Sequence, residues 1–523
     1  MQDLSWWKDA VIYEIYPRSF QDSNGDGIGD LNGIRSRVDY LVDLGVDAIW
    51  ISPIYPSPMA DFGYDVADYC GIHPIFGTMQ DFDRLLDEVH RRGLRMILDF
   101  VPNHTSDQHP WFLESRSSRD NPKRDWYLWR DQPNNWLSHF GGSAWEFDEK
   151  TQQYYLHEFL KEQPDLNWRH PAVKAAMFDA LRFWLRKGID GFRIDVMWLM
   201  IKDDQFRDNP PNPAYKHGQP SKERLLPIYD ADRPEVHELV AEMRKVLEEF
   251  GDRVLIGEIY LPVQQLMSYY GKDLSGANLP FNFQLLLCPW NAPDVAQVID
   301  DYHGALPQGA WPNWVLGNHD KPRIASRVGG KQARNAAMLL FTLPGTLTMY
   351  YGEELGMCDV PIPPEDVQDP AEKNQPGIGM GRDPERTPMP WDGSPLGGFT
   401  TGKSWLPLGS EHDHCNVESL KKNKESIFAL YRKLMQLRRT HPALVSGNLE
   451  PVKVEGHVLR FARTTDGRRV VVLLNLGQEA THVEVENGIV LVSSCMDRDG
   501  EHVGGTLELH GADGLIIDVS ASG

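Results

Sequence analysis

Acidic and basic side chains of this chain recur at the ends of short apolar runs, in spacings that suit proton transfer or nucleophilic attack. Arg193 and Asp195 close the run Gly191-Phe192-Arg193-Ile194-Asp195-Val196. Two residues apart on a strand, they point to the same side. Glu258 closes Val254-Leu255-Ile256-Gly257, His319 and Asp320 follow Trp314 to Asn318, and Asp99 and His104 stand at the end of the run Arg95 to Val101 and just after it. A single buried ion pair would be structural. Several carboxylates gathered on one face repel one another, and a fold keeps such a set where it serves chemistry. Paired carboxylates point to general acid–base or covalent work.

For glycoside cleavage with retention, one carboxylate attacks while its partner carries the proton. Asp195 is the candidate nucleophile, because the Arg193 guanidinium favours its anion. Glu258 follows an apolar run that would raise its pKa, so it is the candidate acid/base. Asp320 is then the carboxylate that steadies an oxocarbenium-like transition state.

The elements that position these residues alternate between β-type runs and amphipathic helices. Strands are expected at Val11–Tyr16, Asp47–Ile51, Arg95–Val101, the Gly191–Val196 run, Val254–Glu258, weakly near Phe281–Leu287, Trp314–Asn318 and Thr346–Tyr351. Helices are expected at Ile34–Leu44, Asp81–Arg92, around Val173–Leu185 and at Glu235–Glu249. Gly188 ends the third of these. Eight strands with helices between them predict an α/β fold, a (β/α)₈ TIM barrel, whose catalytic groups sit at the C-terminal strand ends. The rival, an open doubly wound sheet, lacks its glycine-rich fingerprint here.

Residues 103–172 break the rhythm, with many Pro, Asn, Asp, Gly and Trp and no helical period. They form an insertion domain after the third strand, on the catalytic face. Met357–Gly402 is a second irregular stretch on that face. The barrel then spans 1–102 and 173–445, ending with one helix over Glu418–Arg439. Alternating runs at Val458–Arg463, Val470–Leu474, Val483–Val485 and Gly514–Val519 make 446–523 a C-terminal antiparallel β-sandwich domain.

Net charge is -22. Such a surface disfavours nucleic acid and anionic lipid. Five scattered cysteines argue against a disulfide framework and suit a cytoplasmic protein. Met1 to Trp7 lacks a secretory pattern, and no apolar run is long enough to span a bilayer. Zinc at His104 and His109 lacks a third ligand.

Asp22-Ser23-Asn24-Gly25-Asp26-Gly27-Ile28-Gly29-Asp30 places oxygen side chains at alternate positions, like the first part of a calcium loop. Gly33 stands where a bidentate Glu is expected, so a plain Asx-rich turn is the competing reading.

Five stretches together resemble, in order along the barrel, the signature regions of the α-amylase family (family 13 of the glycoside hydrolases). They are Asp99–His104, Gly191–Val196, Gly257–Tyr260 and Gly317–Asp320, with Gln163-Pro164-Asp165-Leu166-Asn167 resembling the region of its α-glucosidase and oligo-1,6-glucosidase group. The resemblance implies a retaining mechanism with Asp195, Glu258 and Asp320 in the roles above. It implies that Asp61, Tyr64, His104, Arg193 and His319 hold a terminal glucose, with Tyr64 stacked on the ring and Phe147 and Phe159 as walls. Arg382 is the implied arginine contact, with Arg386 as its rival. The family's metal loop adds Ca²⁺ or Mg²⁺, structural, held by Asp22, Asn24, Asp26, Asp30 and the Ile28 carbonyl. No organic cofactor is expected.

The expected activity is removal of terminal α-linked glucose from short oligosaccharides, with transglucosylation as a side path, by a monomer or small homo-oligomer. Val196 resembles oligo-1,6-glucosidases, whereas α-1,4-preferring members tend to carry Ala or Thr there. The alternatives are an oligo-1,6-glucosidase proper, a sucrose isomerase or other glucosyltransferase, and a non-catalytic partner protein like the amino-acid-transporter heavy chains. The last group has a membrane span and usually lacks the carboxylates.

Overall fold

The computed structural model describes residues 5–520. Part of the amino-terminal stretch read above for targeting, residues 1–4, lies outside the described residues. Eight strands form the central sheet: β1 (Val11–Ile15), β2 (Ala48–Ile51), β3 (Arg95–Phe100), β4 (Gly191–Ile194), β5 (Val254–Gly257), β6 (Leu279–Pro280), β7 (Asn313–Val315) and β8 (Thr346–Tyr350). Their order is β7-β8-β1-β2-β3-β4-β5-β6, and every neighbouring pair is parallel. The remaining seam, between β6 and β7, is bridged by a side chain. Asn313 Nδ2 donates to Pro280 O at 2.7 Å, and Asn313 Oδ1 accepts from Asn282 N at 2.9 Å. This is the (β/α)₈ barrel.

The two-residue period of the strands builds both the core and the site. Ile12, Ala48, Trp50, Ile97, Val254, Ile256 and Val315 share one cluster inside the barrel. Neighbours such as Tyr13, Ile49, Leu98, Phe192, Leu255 and Leu347 pack outward under the helices. One step further along the inward series, apolar residues give way to Glu14, Asp99, Arg193 and Glu258. Gly191 begins one inward series because a Cβ there would stand 2.4 Å from Val254.

Among the helices, Pro171–Lys187 starts with Pro at its first turn and ends at Gly188 in the left-handed region (φ 105°), as its sequence requires. Other stretches differ from expectation. The weak sixth strand is Leu279–Pro280, while Gln284–Leu287 is a short helix, because a brief apolar run carries no period of its own. Ile34–Leu44 is broken at Arg37 into helices Leu31–Ser36 and Val38–Leu44. Glu418–Arg439 is two helices, Val417–Lys422 and Ile427–Thr440, the second capped by Ser426. A capping serine inside a continuous apolar stripe marks a new start.

After β3 the chain forms a short helix, Pro110–Ser115, and a three-stranded antiparallel sheet of Trp129–Arg130, Gln153–Leu156 and Trp145–Asp148. At the C-terminal end, seven antiparallel strands from Asn448 to Asp518 join in one sheet. Leu459, Phe461, Val472, Leu474 and Ile516 pack towards the barrel. Val458, Leu473, Val483, Val485, Leu507 and Ile517 close a second core on the other face.

Candidate active site

The sheet register places the charged groups before any loop is considered. Asp99 lies directly opposite Arg193, and Arg193 opposite Ile256. The ladder then runs one bond beyond the strands, with Asp195 N donating to Phe100 O (2.9 Å) and Glu258 N to Ile194 O (3.0 Å). Arg193, 1% exposed, is the hub. Its Nη1 donates to Asp195 Oδ1 at 2.7 Å and to Asp99 Oδ1 at 2.9 Å, and its Nη2 stands 2.7 Å from Glu258 Oε2.

One guanidinium thus serves three carboxylates. This corrects the expectation that Arg193 selectively keeps Asp195 ionised. Burial pushes Asp195 well above the ordinary carboxylate range and the Glu258 charge adds to that, with Arg193 opposing. Burial raises Glu258 too, against the pull of Arg193. The two carboxyls share the buried Arg193 guanidinium and each raises the cost of ionising the other, so the pair keeps a proton where an isolated carboxyl has lost it. Two carboxylates held by one guanidinium stand close together, the arrangement that a retaining pair uses.

Asp320 is set apart. Burial opposes its ionisation, but the Arg386 and Arg382 guanidiniums outweigh it and hold the carboxyl well below the usual range. Arg386 Nη2 donates to Asp320 Oδ1 at 2.8 Å, and Arg386 Nε to the His319 carbonyl at 2.7 Å. Burial keeps the His319 imidazole neutral. It stacks on Tyr64 (5.4 Å, 12°), and Nε2 stands 2.7 Å from the Tyr64 hydroxyl, which donates to Asp99 Oδ2 at 3.1 Å. Glu14 holds the other ring nitrogen.

Val196 has φ 37° and ψ 47°, a left-handed backbone that a β-branched residue rarely adopts. That conformation aims its N–H at Glu258 Oε2, 2.8 Å away. Strain of this kind costs of order 1–3 kcal/mol and persists where the surroundings enforce it.

These groups floor a cavity of about 570 Å³. The profile of the alpha amylase catalytic domain matches residues 14–447, which carry all of them. The chain belongs to the alpha-amylase family. A probable alpha-glucosidase of Rhizobium meliloti is 43% identical over 510 residues, covering 92% of this chain and 91% of that protein. An oligo-1,6-glucosidase of Parageobacillus thermoglucosidasius is 39% identical, covering 93% of each. The crystal structure of the alpha-glucosyl transfer enzyme XgtA superposes with a TM-score of 0.93 at 38% identity, over 99% of this chain and 100% of that one.

In this alpha-amylase family member the cavity brings together Asp61, Tyr64, His104, Phe159, Asp195, Glu258, His319, Asp320 and Arg382. Asp61 sits on a loop shaped by Asp65, which accepts from Ser57 Oγ (2.8 Å), Ala60 N (2.9 Å) and Asp61 N (3.0 Å). Arg382 joins Asp61 (2.6 Å) to Asp369 (2.7 Å) across the floor. Arg386 is fully buried behind Asp320, so Arg382 is the arginine that faces the cavity. Gln163 explains part of the fifth motif: its Nε2 reaches His104 Nε2 (3.1 Å) and the Tyr64 carbonyl (3.3 Å).

Phe147 is a correction. It is 40% exposed on the strand Trp145–Asp148, packed on Tyr154, and does not line the cavity. On that strand Trp145 faces the packed side and Phe147, two residues on, lies beyond its edge. Phe140 lines the cavity instead, with Arg382 over its ring at 5.0 Å. His139, Trp198, Pro220, Lys222, Glu223, Tyr260 and Met380 also line it and were missed. They come from loops whose apolar and charged residues follow no period. The proline- and charge-rich run from Asn209 to Arg233 was the one available signal.

The candidate metal loop is a chain of Asx turns. Asp22 Oδ1 accepts from Asn24 N and Gly25 N (2.8 Å each), Asn24 Oδ1 from Asp26 N (2.9 Å), and Asp26 Oδ1 from Ile28 N (2.9 Å). Asp30 caps the helix Leu31–Ser36 through Gly33 N (2.8 Å). Among the described residues, no three carboxylate, imidazole or thiol groups gather as ligands by themselves. An ion here needs the Asn24 amide oxygen and the Ile28 carbonyl beside the carboxylates. This all-oxygen set suits a hard cation.

Proposed function

We propose that this chain is a retaining exo-acting α-glucosidase that releases terminal non-reducing α-linked glucose from short oligosaccharides. One observation carries the reading: the Asp195–Glu258 pair sits on a buried polar floor that the Asp61–Arg382–Asp369 cluster closes. A closed floor admits one chain end, and its paired hydroxyl-binding groups suit a glucose ring. Asp195 attacks the anomeric carbon and the glycosidic oxygen leaves with the Glu258 proton. Glu258 then deprotonates the water that releases glucose. Asp320, held ionised, stabilises the positive charge that develops on the ring.

The names of the relatives support this reading, and XgtA's name supports transglucosylation as a second outcome when a sugar replaces that water. NMR on maltose tests the main reading: α-glucose appears first, and β-glucose appearing first would contradict retention. On linkage, we propose broad action with appreciable α-1,6 cleavage, because Val196 lines the cavity beside Glu258. One side chain there shifts selectivity by about 1–3 kcal/mol. The expected result is measurable kcat/KM on both maltose and isomaltose, with Val196→Ala shifting the ratio towards maltose by about tenfold. A wild type inactive on isomaltose would sink the argument.

We also propose a structural Ca²⁺ or Mg²⁺ on Asp22, Asn24, Asp26, Asp30 and the Ile28 carbonyl, supported by the oxygen donor set. Adding Ca²⁺ or Mg²⁺ to chelator-treated protein is expected to raise Tm, and Asp26→Ala to remove that increase. An unchanged Tm would leave the loop a plain turn. No helix among the described residues is long and apolar enough to cross a membrane. Five free cysteines support a reducing, cytoplasmic setting.

A further inference from the structure

Three loops from distant parts of the chain meet at the cavity rim, and they are joined unequally. The insertion after β3 and the loop after β4 are bound by several contacts. Asn135 and Asn209 exchange hydrogen bonds (Asn135 Nδ2 to Asn209 O, 2.8 Å; Asn209 N to Asn135 Oδ1, 2.9 Å). Trp136 Nε1 donates to Arg207 O at 2.9 Å. Lys222 Nζ donates to buried Glu158 (2.6 Å) on one side and buried Asp230 (2.7 Å) on the other. These contacts join the two loops into one wall.

The loop after β8 packs Ala371 and Met380 on Phe140, Phe159 and Leu160 of that wall and lays Arg382 over the Phe140 ring, but among the described residues it hydrogen-bonds to the wall through one side chain. Gln375, 9% exposed, donates from Nε2 to the His139 carbonyl (3.3 Å) and accepts from Ser221 N at Oε1 (3.1 Å). Its stem lies flat on Gly141, where a Cβ would come within 2.7 Å of Gln375 Cγ. Gly141 also has φ 95°, a conformation that favours glycine. His139, Pro220 and Lys222, the neighbours on both sides of this bridge, line the cavity, as does Ala371 of the same loop.

We propose that Gln375 is a specificity-determining latch. By tying the β8 loop to both other loops it narrows the rim where the rest of a substrate chain leaves the cavity, and so sets the length of oligosaccharide accepted. Asp195 and Glu258 follow directly on β4 and β5, Asp320 follows β7, and none of them hydrogen-bonds to Gln375. The proposal rests on the exo-α-glucosidase reading and adds chain-length selection to it.

Two variants open the latch from opposite sides. Gln375→Ala removes the carboxamide. Ser221→Pro removes the donor N–H together with a buried hydroxyl that has no hydrogen-bond partner: Ser221 opens a 3₁₀ turn after Pro220, whose ψ of 138° is compatible with a following proline. The readout is kcat/KM for maltotetraose divided by that for maltose. In both variants this ratio is expected to rise about tenfold, mainly through KM for the longer substrate, with kcat on maltose within about twofold of wild type. Gln375→Glu, which keeps the acceptor for Ser221 N, is expected to restore part of the wild-type ratio. An unchanged ratio in folded variants, or a parallel fall on both substrates, would overturn the latch. The wild type is assayed first on 4-nitrophenyl α-glucoside. No hydrolysis there overturns the α-glucosidase reading itself, whereas a glucosidase with an unmoved ratio overturns only the latch.

Discussion

Asp195→Asn lowers kcat about 10⁴-fold or more on every α-glucoside while the protein stays folded. Asn has the shape of Asp but its neutral amide oxygen is a far weaker nucleophile than a carboxylate, so the covalent half of the reaction loses its driving group. The loss is therefore similar for maltose and for 4-nitrophenyl α-glucoside, because a better leaving group does not supply the missing bond. Stability moves the other way. Burial raises this carboxyl above its unfolded value. Such a group favours folding while protonated, and its contribution is lost as pH rises through the folded pKa. Near neutral pH its removal relieves crowding of three carboxylates on Arg193, so Tm stays level or rises. Steady-state kinetics with thermal unfolding of the same preparation checks both halves. Undiminished turnover in the folded variant would remove Asp195 from the mechanism.

Glu258→Gln is expected to cost about 10²–10⁴ in kcat/KM on maltose. Here the leaving group matters. A sugar alkoxide needs the proton, whereas 4-nitrophenolate leaves without it, so the first step on the aryl glucoside is far less affected. The second step still lacks a base for water, and azide, which needs none, is expected to restore turnover with the aryl substrate. The pH profile gives an independent sign. In the wild type, activity requires one proton on the Asp195–Glu258 pair. It falls at low pH as the pair takes a second proton, and at high pH as it loses the only one. Burial raises both carboxyls, so the alkaline limb lies above the ordinary carboxylate range. With Gln at 258 that limb disappears and the acid limb of Asp195 remains. A variant that keeps the alkaline limb would assign it to another group.

The Arg193 hub bears on both results. A buried cation shared by Asp99, Asp195 and Glu258 cannot fix which of them holds a proton. The distinction comes from what else each carboxylate meets. Glu258 accepts from Val196 N, whereas Asp195 depends on Arg193. The proton therefore belongs to the pair.

The barrel and its charged strand ends were legible because a strand alternates every two residues. Ile97 and Asp99, or Arg193 and Asp195, face the same way whatever the rest of the chain does, and the motif order carried the family. The sixth strand and the two broken helices were not legible, since Leu285-Leu286-Leu287 has no period and Ser426 looks like any polar residue in an amphipathic stripe. The rim was hidden altogether. Gln375 meets His139 across 236 residues of sequence, and Phe147 leaves the cavity for Tyr154 while Phe140 enters it. Local backbone geometry is encoded by near neighbours, so the sequence alone determined the strand rhythm and the carboxylates that end it. Which loops close over those carboxylates, and how one guanidinium is divided among three of them, depends on contacts between distant segments. Only the tertiary structure decided those.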